Sequence, residues 1–215
     1  MKTYIEQLEK DFAPFQSGFK KEERRALQDY QNYKPEEIEQ LAHFAYQSGV
    51  YQVRMYGVFL FGYLSQKEKV LTFLREEVSK DDNWRVQEVL AKAFDEYCKK
   101  VGYEKALPVI DEWLAHPHAN TRRAVTEGLR IWTSRPYFQE HPYEAIRRIA
   151  ALKENESEYV RKSVGNALRD ISKKYPDLIQ AELETWTLDS KAIQQVYQLA
   201  SKFLSKEHDF NNDNQ

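Results

Sequence analysis

Three pairs of side chains in this chain sit one helical turn apart: Trp84 with Glu88, Arg123 with Glu127, and Asn166 with Asp170. Residues at i and i+4 lie along one side of a helix, so each pair faces a single direction. Together they supply carboxylates, a guanidinium, an amide and an aromatic plane. They come without a Ser or Cys nucleophile, a metal cage or a Gly-rich phosphate loop. Each residue also has a plainer role open to it. Trp84 can pack a helix, Glu88 can pair with Lys92 and Arg123 with Glu127, while Asn166 and Asp170 can order a buried helix by hydrogen bonding.

The elements that must position these pairs recur. Similar phrases open at Tyr51 (YQVRMYGVFLFGYLS), Asn83 (NWRVQEVLAKAFDEYC), Ala119 (ANTRRAVTEGLRIWTS) and Glu158 (EYVRKSVGNALRDISK). Aligning Arg54, Gln87, Arg123 and Lys162 gives steps of 33, 36 and 39 residues, the range of helical-pair repeats of the HEAT and armadillo type. The expected fold is therefore all-α, an α-α superhelix or HEAT-like solenoid, whose concave side offers one long surface. One repeat domain is expected over 1–206, with a polar tail at 207–215. Helices are predicted at 2–12, 21–33, 35–48, 51–65, 67–78, 84–101, 103–115, 120–133, 143–150, 158–175, 176–188 and 190–204. Val53, Tyr56, Leu60, Val89, Leu90, Ala93, Val125, Leu129, Val164, Leu168 and Ile171 recur at helical spacing and form the expected shared core.

Composition narrows the function. With 215 residues and 41% hydrophobic side chains the chain can bury a substantial core. The single cysteine, Cys98, excludes an internal disulfide and any cysteine cluster for zinc, which fits a reducing, cytoplasmic setting. No window approaches the ~20 apolar residues that cross a bilayer, and the first residues lack the apolar run of a secretory leader. His116, His118 and His141 fall in predicted loops, and His116 and His118 have no adjacent carboxylate or cysteine partner, so turn chemistry is expected there and no metal. The formal charge is −2, yet between Ala119 and Tyr175 twelve basic residues face seven acidic ones, leaving that stretch at +5 and the remainder at −7. Such a stretch suits a groove that follows phosphates. It equally suits a solvated helix face paired at i,i+4.

Two of the repeat phrases carry a resemblance. EYVRKSVGNALRDISKKYPDLI from Glu158 resembles the late repeat of the AlkC/AlkD family of HEAT-like-repeat DNA alkylation repair glycosylases, and NTRRAVTEGLR from Asn120 is similar to the Arg-Arg, Glu-Gly segment of its AlkC branch. The similarity covers the helical part from about Tyr51 onward. It implies that Trp84 matches a family tryptophan and Glu88 the catalytic carboxylate, which is Asp in the AlkD branch and Glu in the AlkC branch. It further implies that Arg123 contacts DNA near the lesion. Asn166 stands where the AlkD branch has another tryptophan, and with Asp170 it follows the AlkC pattern. Arg122, Arg161 and Lys162 are expected to meet phosphates, with Glu127, Asn166 and Asp170 as supporting polar groups.

The implied activity is excision of cationic N3- or N7-alkylated purines from double-stranded DNA by hydrolysis of the N-glycosidic bond, with no cofactor and no metal. Alkylation places positive charge on the base and weakens that bond, so a carboxylate beside the sugar stabilises the charge that develops. Two other uses of the same chain are a non-catalytic binder of DNA structure and a protein-interaction scaffold, the default use of stacked helical repeats.

Overall fold

The computed structural model describes residues 1–206, so the predicted tail at 207–215 lies outside the described residues. Among the described residues the regular elements are helices: α1 (Lys2–Phe12), α2 (Lys20–Asn32), α3 (Pro35–Tyr46), α4 (Tyr51–Tyr63), α5 (Glu68–Glu76), α6 (Trp84–Val101), α7 (Leu107–Leu114), α8 (Ala119–Gly128), α9 (Pro136–Glu140), α10 (Pro142–Ala150), α11 (Glu158–Ser172), α12 (Pro176–Glu184) and α13 (Lys191–Ala200), with short 3-10 turns between some of them. The chain divides into two compact units, Met1–Ala106 and Leu107–Gln215.

In the first unit α4 is the central helix, packed against α2, α3 and α6. Its sequence leaves little polar face, and the run Met55–Gly62 is buried, as a helix surrounded by others requires. Gly57 permits the closest approach: a Cβ there would stand 2.9 Å from the Ala42 carbonyl oxygen, and a backbone neighbour cannot yield. Nearby, buried Asp29 accepts hydrogen bonds from the Tyr56 hydroxyl (2.6 Å), the Tyr4 hydroxyl and Arg25 (3.3 Å). Burial, followed by the Asp29 carboxylate, pushes the Tyr4 phenol up to about 12.

In the second unit α11 is central and packs on α8 and α13. Gly165 allows the latter contact, since a Cβ there would meet the Leu199 Cβ at 2.6 Å. All eleven expected core residues, Val53 through Ile171, are buried.

Helices α4, α6, α8 and α11 open with one local device. The residue two before each N-cap (Ser48, Asp81, His116 and Asn155) accepts the N-cap backbone N–H on its side chain at 3.0, 2.9, 3.1 and 3.1 Å. Four residues after the N-cap, Arg54, Gln87, Arg122 and Arg161 turn back and donate to the carbonyl six residues behind them, at 3.2, 2.8, 3.0 and 2.7 Å. Gln194 of α13 does the same with the Leu188 carbonyl at 2.8 Å. Each clamp satisfies turn groups that the helix ladder leaves open. The arginines also reach onward, Arg54 to Asp81 (2.7 Å), Arg122 to Glu156 and Arg161 to Gln195 (3.0 Å).

This device corrects the repeat register. Arg54 and Gln87 correspond to Arg122 and Arg161, with steps of 33, 35 and 39 residues, one position away from Arg123 and Lys162. The loop chemistry expected of the histidines is present at His116, whose Nδ1 accepts the His118 N–H. Helix boundaries match the sequence best at α1 and α6. They depart most at α8, which ends at Gly128 instead of running to 133. There Ile131 takes a left-handed conformation (φ 53°, ψ 57°) ahead of a 3-10 turn at Trp132–Ser134. The following α9, absent from the expected helices, starts on Pro136, whose fixed φ suits a first helical position.

Candidate nucleic-acid interface

Helix α6 starts where Asn83 caps it, its side chain accepting the Arg85 N–H at 3.0 Å. That places Trp84 at the first helical position, 57% exposed, and Glu88 one turn on, half-buried. Trp84 is therefore no core residue. Its ring is covered by the Arg85 guanidinium at 4.4 Å, which also stands 5.3 Å from the Tyr51 ring. Arg85 donates to the Gln16 carbonyl at 3.3 Å and Gln52 to the Phe15 carbonyl at 2.9 Å, so the loop 13–19 is tied to the starts of α4 and α6.

That loop adds further cation and ring pairs. Lys21 lies over Phe15 at 2.8 Å and Lys92 over Phe19 at 4.5 Å. A shallow pocket of about 240 Å³ opens between Phe15, Phe19 and Lys21 and reaches Glu22. Glu22 is buried, and that burial raises its carboxyl above the usual range despite a hydrogen bond from its own backbone N–H and the nearby Lys21. Lys92, the expected partner of Glu88, stands 3.7 Å from Glu23. Arg85, Lys21 and Phe15 escaped the sequence reasoning, because their proximity to Trp84 depends on the tethered loop. The cluster of Lys20, Lys21, Arg24 and Arg25 at the start of α2 was the available signal.

The second unit treats its polar residues differently. Arg123 is buried, with its guanidinium 4.2 Å from the Tyr159 ring. Arg122 and Arg161 serve as repeat clamps, donating to carbonyls, Glu156 and Gln195. Lys162 is exposed and pairs with Glu158 at 2.8 Å. Glu127 stands 3.9 Å from Arg130, and Asn166 is half-buried. Asp170 is buried and receives Arg130 (3.1 Å), Lys173 (3.0 Å) and Arg169 (3.4 Å). Burial pushes its carboxyl up, but the hydrogen bonds from Lys173 and Arg130 outweigh that and hold it below the usual range.

The basic stretch repeats this pattern. Besides those residues, Arg147 and Arg148 bind Glu144, and Arg148 also binds Asp111 at 2.7 Å. Arg135 donates to the Gly128 carbonyl at 3.3 Å. Lys153 and Lys174 lie near the rings of Trp186 and Tyr175. The local charge of the stretch remains +5, since pairing redirects charge without removing it.

In the corrected register Glu88, Arg123 and Lys162 occupy one repeat position, the fifth residue after the N-caps Asn83, His118 and Ser157. Among the described residues no group of three or more His, Cys, Asp or Glu side chains is placed to hold a metal ion. No helix of the described residues is long and apolar enough to cross a membrane.

These features define an all-α, HEAT-like helical-repeat protein that presents an exposed tryptophan, flanking cations and a carboxylate at one helix start. The chain belongs to the DNA alkylation repair enzyme family, whose model matches residues 15–202. It is 69% identical to AlkD2 from Streptococcus mutans, covering 94% of this chain and 98% of that one with a TM-score of 0.93. The Pseudomonas fluorescens alkylpurine DNA glycosylase AlkC, solved on DNA containing an abasic site analog, is 20% identical with a TM-score of 0.67, over 95% of this chain and 62% of that one. That likeness is one of fold. A stretch of 87 residues, 39% of this chain, is 36% identical to YhaZ of Bacillus subtilis (strain 168) and spans 24% of its length.

Proposed function

We propose that this protein is a DNA repair glycosylase that excises cationic N3- or N7-alkylated purines from duplex DNA. The observation that carries this reading is the pairing of an exposed Trp84 with Glu88 one turn along α6. In the proposed reaction the bond between C1′ and the alkylated base breaks, its electron pair leaves with the base, and the cationic base departs neutral. Positive charge passes to the sugar, where the Glu88 carboxylate stabilises it and orients the attacking water. Water forms the new C1′–O bond and gives its proton to Glu88, which returns it to solvent. Trp84 offers its negative face to the cationic base or sugar, worth ~0.5–2 kcal/mol.

Exposed Lys162 is assigned to flanking phosphates, whereas Arg123, expected from the sequence to contact DNA, is buried and joins Glu127, Asn166 and Asp170 in holding the helices. Arg122 and Arg161 act in this reading through the repeat clamps. The partner is alkylated double-stranded DNA, the setting is cytoplasmic, and water is the co-reactant, with neither metal nor cofactor needed.

The exposed Trp84 with Arg85 over its ring would equally serve a second reading, a duplex binder without excision. One experiment separates the two. Incubation with duplex DNA methylated at purine nitrogens should release free 3-methyladenine or 7-methylguanine. Salt-sensitive binding to the same duplex with no release across alkylated substrates selects the binder, and absence of both overturns each.

A further inference from the structure

Ile131 is the one non-glycine residue with positive φ among the described residues. A β-branched side chain is a genuine outlier there, because its Cβ crowds the backbone. It is also 46% exposed, so the strain is not offset by burial of its own side chain. The turn around it is fixed on every side. Trp132 and Thr133 are buried, and the Trp132 ring lies 5.0 Å from that of Phe138. The Ser134 N–H bonds the Ile131 carbonyl at 2.8 Å. Arg130 is tied to Asp170 at 3.1 Å, and Arg135 to the Gly128 carbonyl at 3.3 Å. A branched apolar side chain is thus held out in water by a rigid base, between two guanidinium-bearing residues.

Strain kept at an exposed, well-anchored position points to a partner. We propose that Ile131 is an apolar wedge for duplex DNA: its side chain enters between adjacent base pairs and partly unstacks them, while Arg130 and Arg135 meet the phosphates on either side. Apolar side chains, isoleucine among them, open base steps in this way in other DNA-binding proteins, and flanking cations set the register. The inference rests on the DNA-binding reading above, common to both functions considered there.

The test uses the full chain and a duplex carrying 2-aminopurine, whose fluorescence rises when it unstacks. Wild type should raise the fluorescence on binding. Ile131→Gly, which adopts the left-handed conformation without strain, should keep or raise Tm, abolish the fluorescence rise and weaken duplex binding about tenfold, while Ile131→Leu should restore the signal. A glycine variant that unstacks and binds like wild type overturns the wedge. Wild-type binding with no fluorescence change overturns it too and leaves the DNA reading standing, whereas a wild type without salt-dependent duplex binding overturns both.

Discussion

The start of α6 in the first unit and the basic stretch of the second use charge differently. Around the start of α6 in the first unit, Arg85, Lys21 and Lys92 lie over the rings of Trp84, Phe15 and Phe19, with Trp84 and Phe15 exposed. In the second unit, where the sequence carries its +5 stretch, the arginines turn to carboxylates and carbonyls, and Arg123 is buried against Tyr159. A surplus of basic residues therefore marks a stretch that must hold itself together as much as one that meets a ligand. The buried carboxyls show the same contrast. Asp170 is ringed by cations and held below the usual range, while Glu22, also buried, is raised.

Removing that ring of contacts should have the largest effect on stability. Asp170→Asn leaves Arg130, Arg169 and Lys173 facing one another, and should destabilise the protein by about 3 kcal/mol, the low end for a broken buried pair because two of the cations are half-exposed. At ~2–4 °C per kcal/mol this is a fall of roughly 6–12 °C in Tm. The pH dependence has a definite sign. Asp170 ionises below its ordinary range, so its contribution is complete above about pH 4 and fades as acid protonates it. The gap between wild type and variant in urea midpoints should narrow accordingly, and a constant gap would break the contrast with Glu22.

Arg54→Ala comes next, at about 2 kcal/mol, since it removes the clamp on the Ser48 carbonyl and the pair with Asp81. Its effect, read as a lowered denaturation midpoint, extends the comparison to the repeat device that both units share. Trp84→Ala should leave Tm within about 1 °C, as expected of an exposed residue. It should weaken binding to methylated duplex about 2- to 30-fold, measured by fluorescence anisotropy, the equivalent of ~0.5–2 kcal/mol. Glu22→Gln should have the smallest effect, a rise in Tm of about 1–2 °C at pH 7. The folded state holds on to a proton that the unfolded chain releases, so wild-type stability falls as pH rises through the raised folded value. The advantage of the variant should close near pH 4.

Helical periodicity made much of the fold legible before any coordinates, because apolar spacing alone selects the buried residues from Val53 to Ile171. The start and end of α6 were equally readable, with a capping Asn83 before it and Gly102 after it. Register was not. Arg122 and Arg123 are adjacent and identical in type, and only the turn back to the His116 carbonyl distinguishes the clamp from the residue beside it. The early end of α8 was hidden for a related reason, since Leu129, Ile131 and Trp132 continue a plausible helical pattern through a left-handed turn. At the candidate site, Trp84 and Glu88 could be found from spacing, but Arg85, Lys21 and Phe15 depend on how the loop 13–19 is tied down.

The central claim is that Glu88, presented beside Trp84, performs the chemistry. Single-turnover release of 3-methyladenine and 7-methylguanine from methylated duplex DNA, measured for wild type and Glu88→Gln alongside duplex affinity, tests it most directly. The account predicts release slowed by about 100-fold or more with affinity within about threefold. Equal release by the two proteins would contradict it.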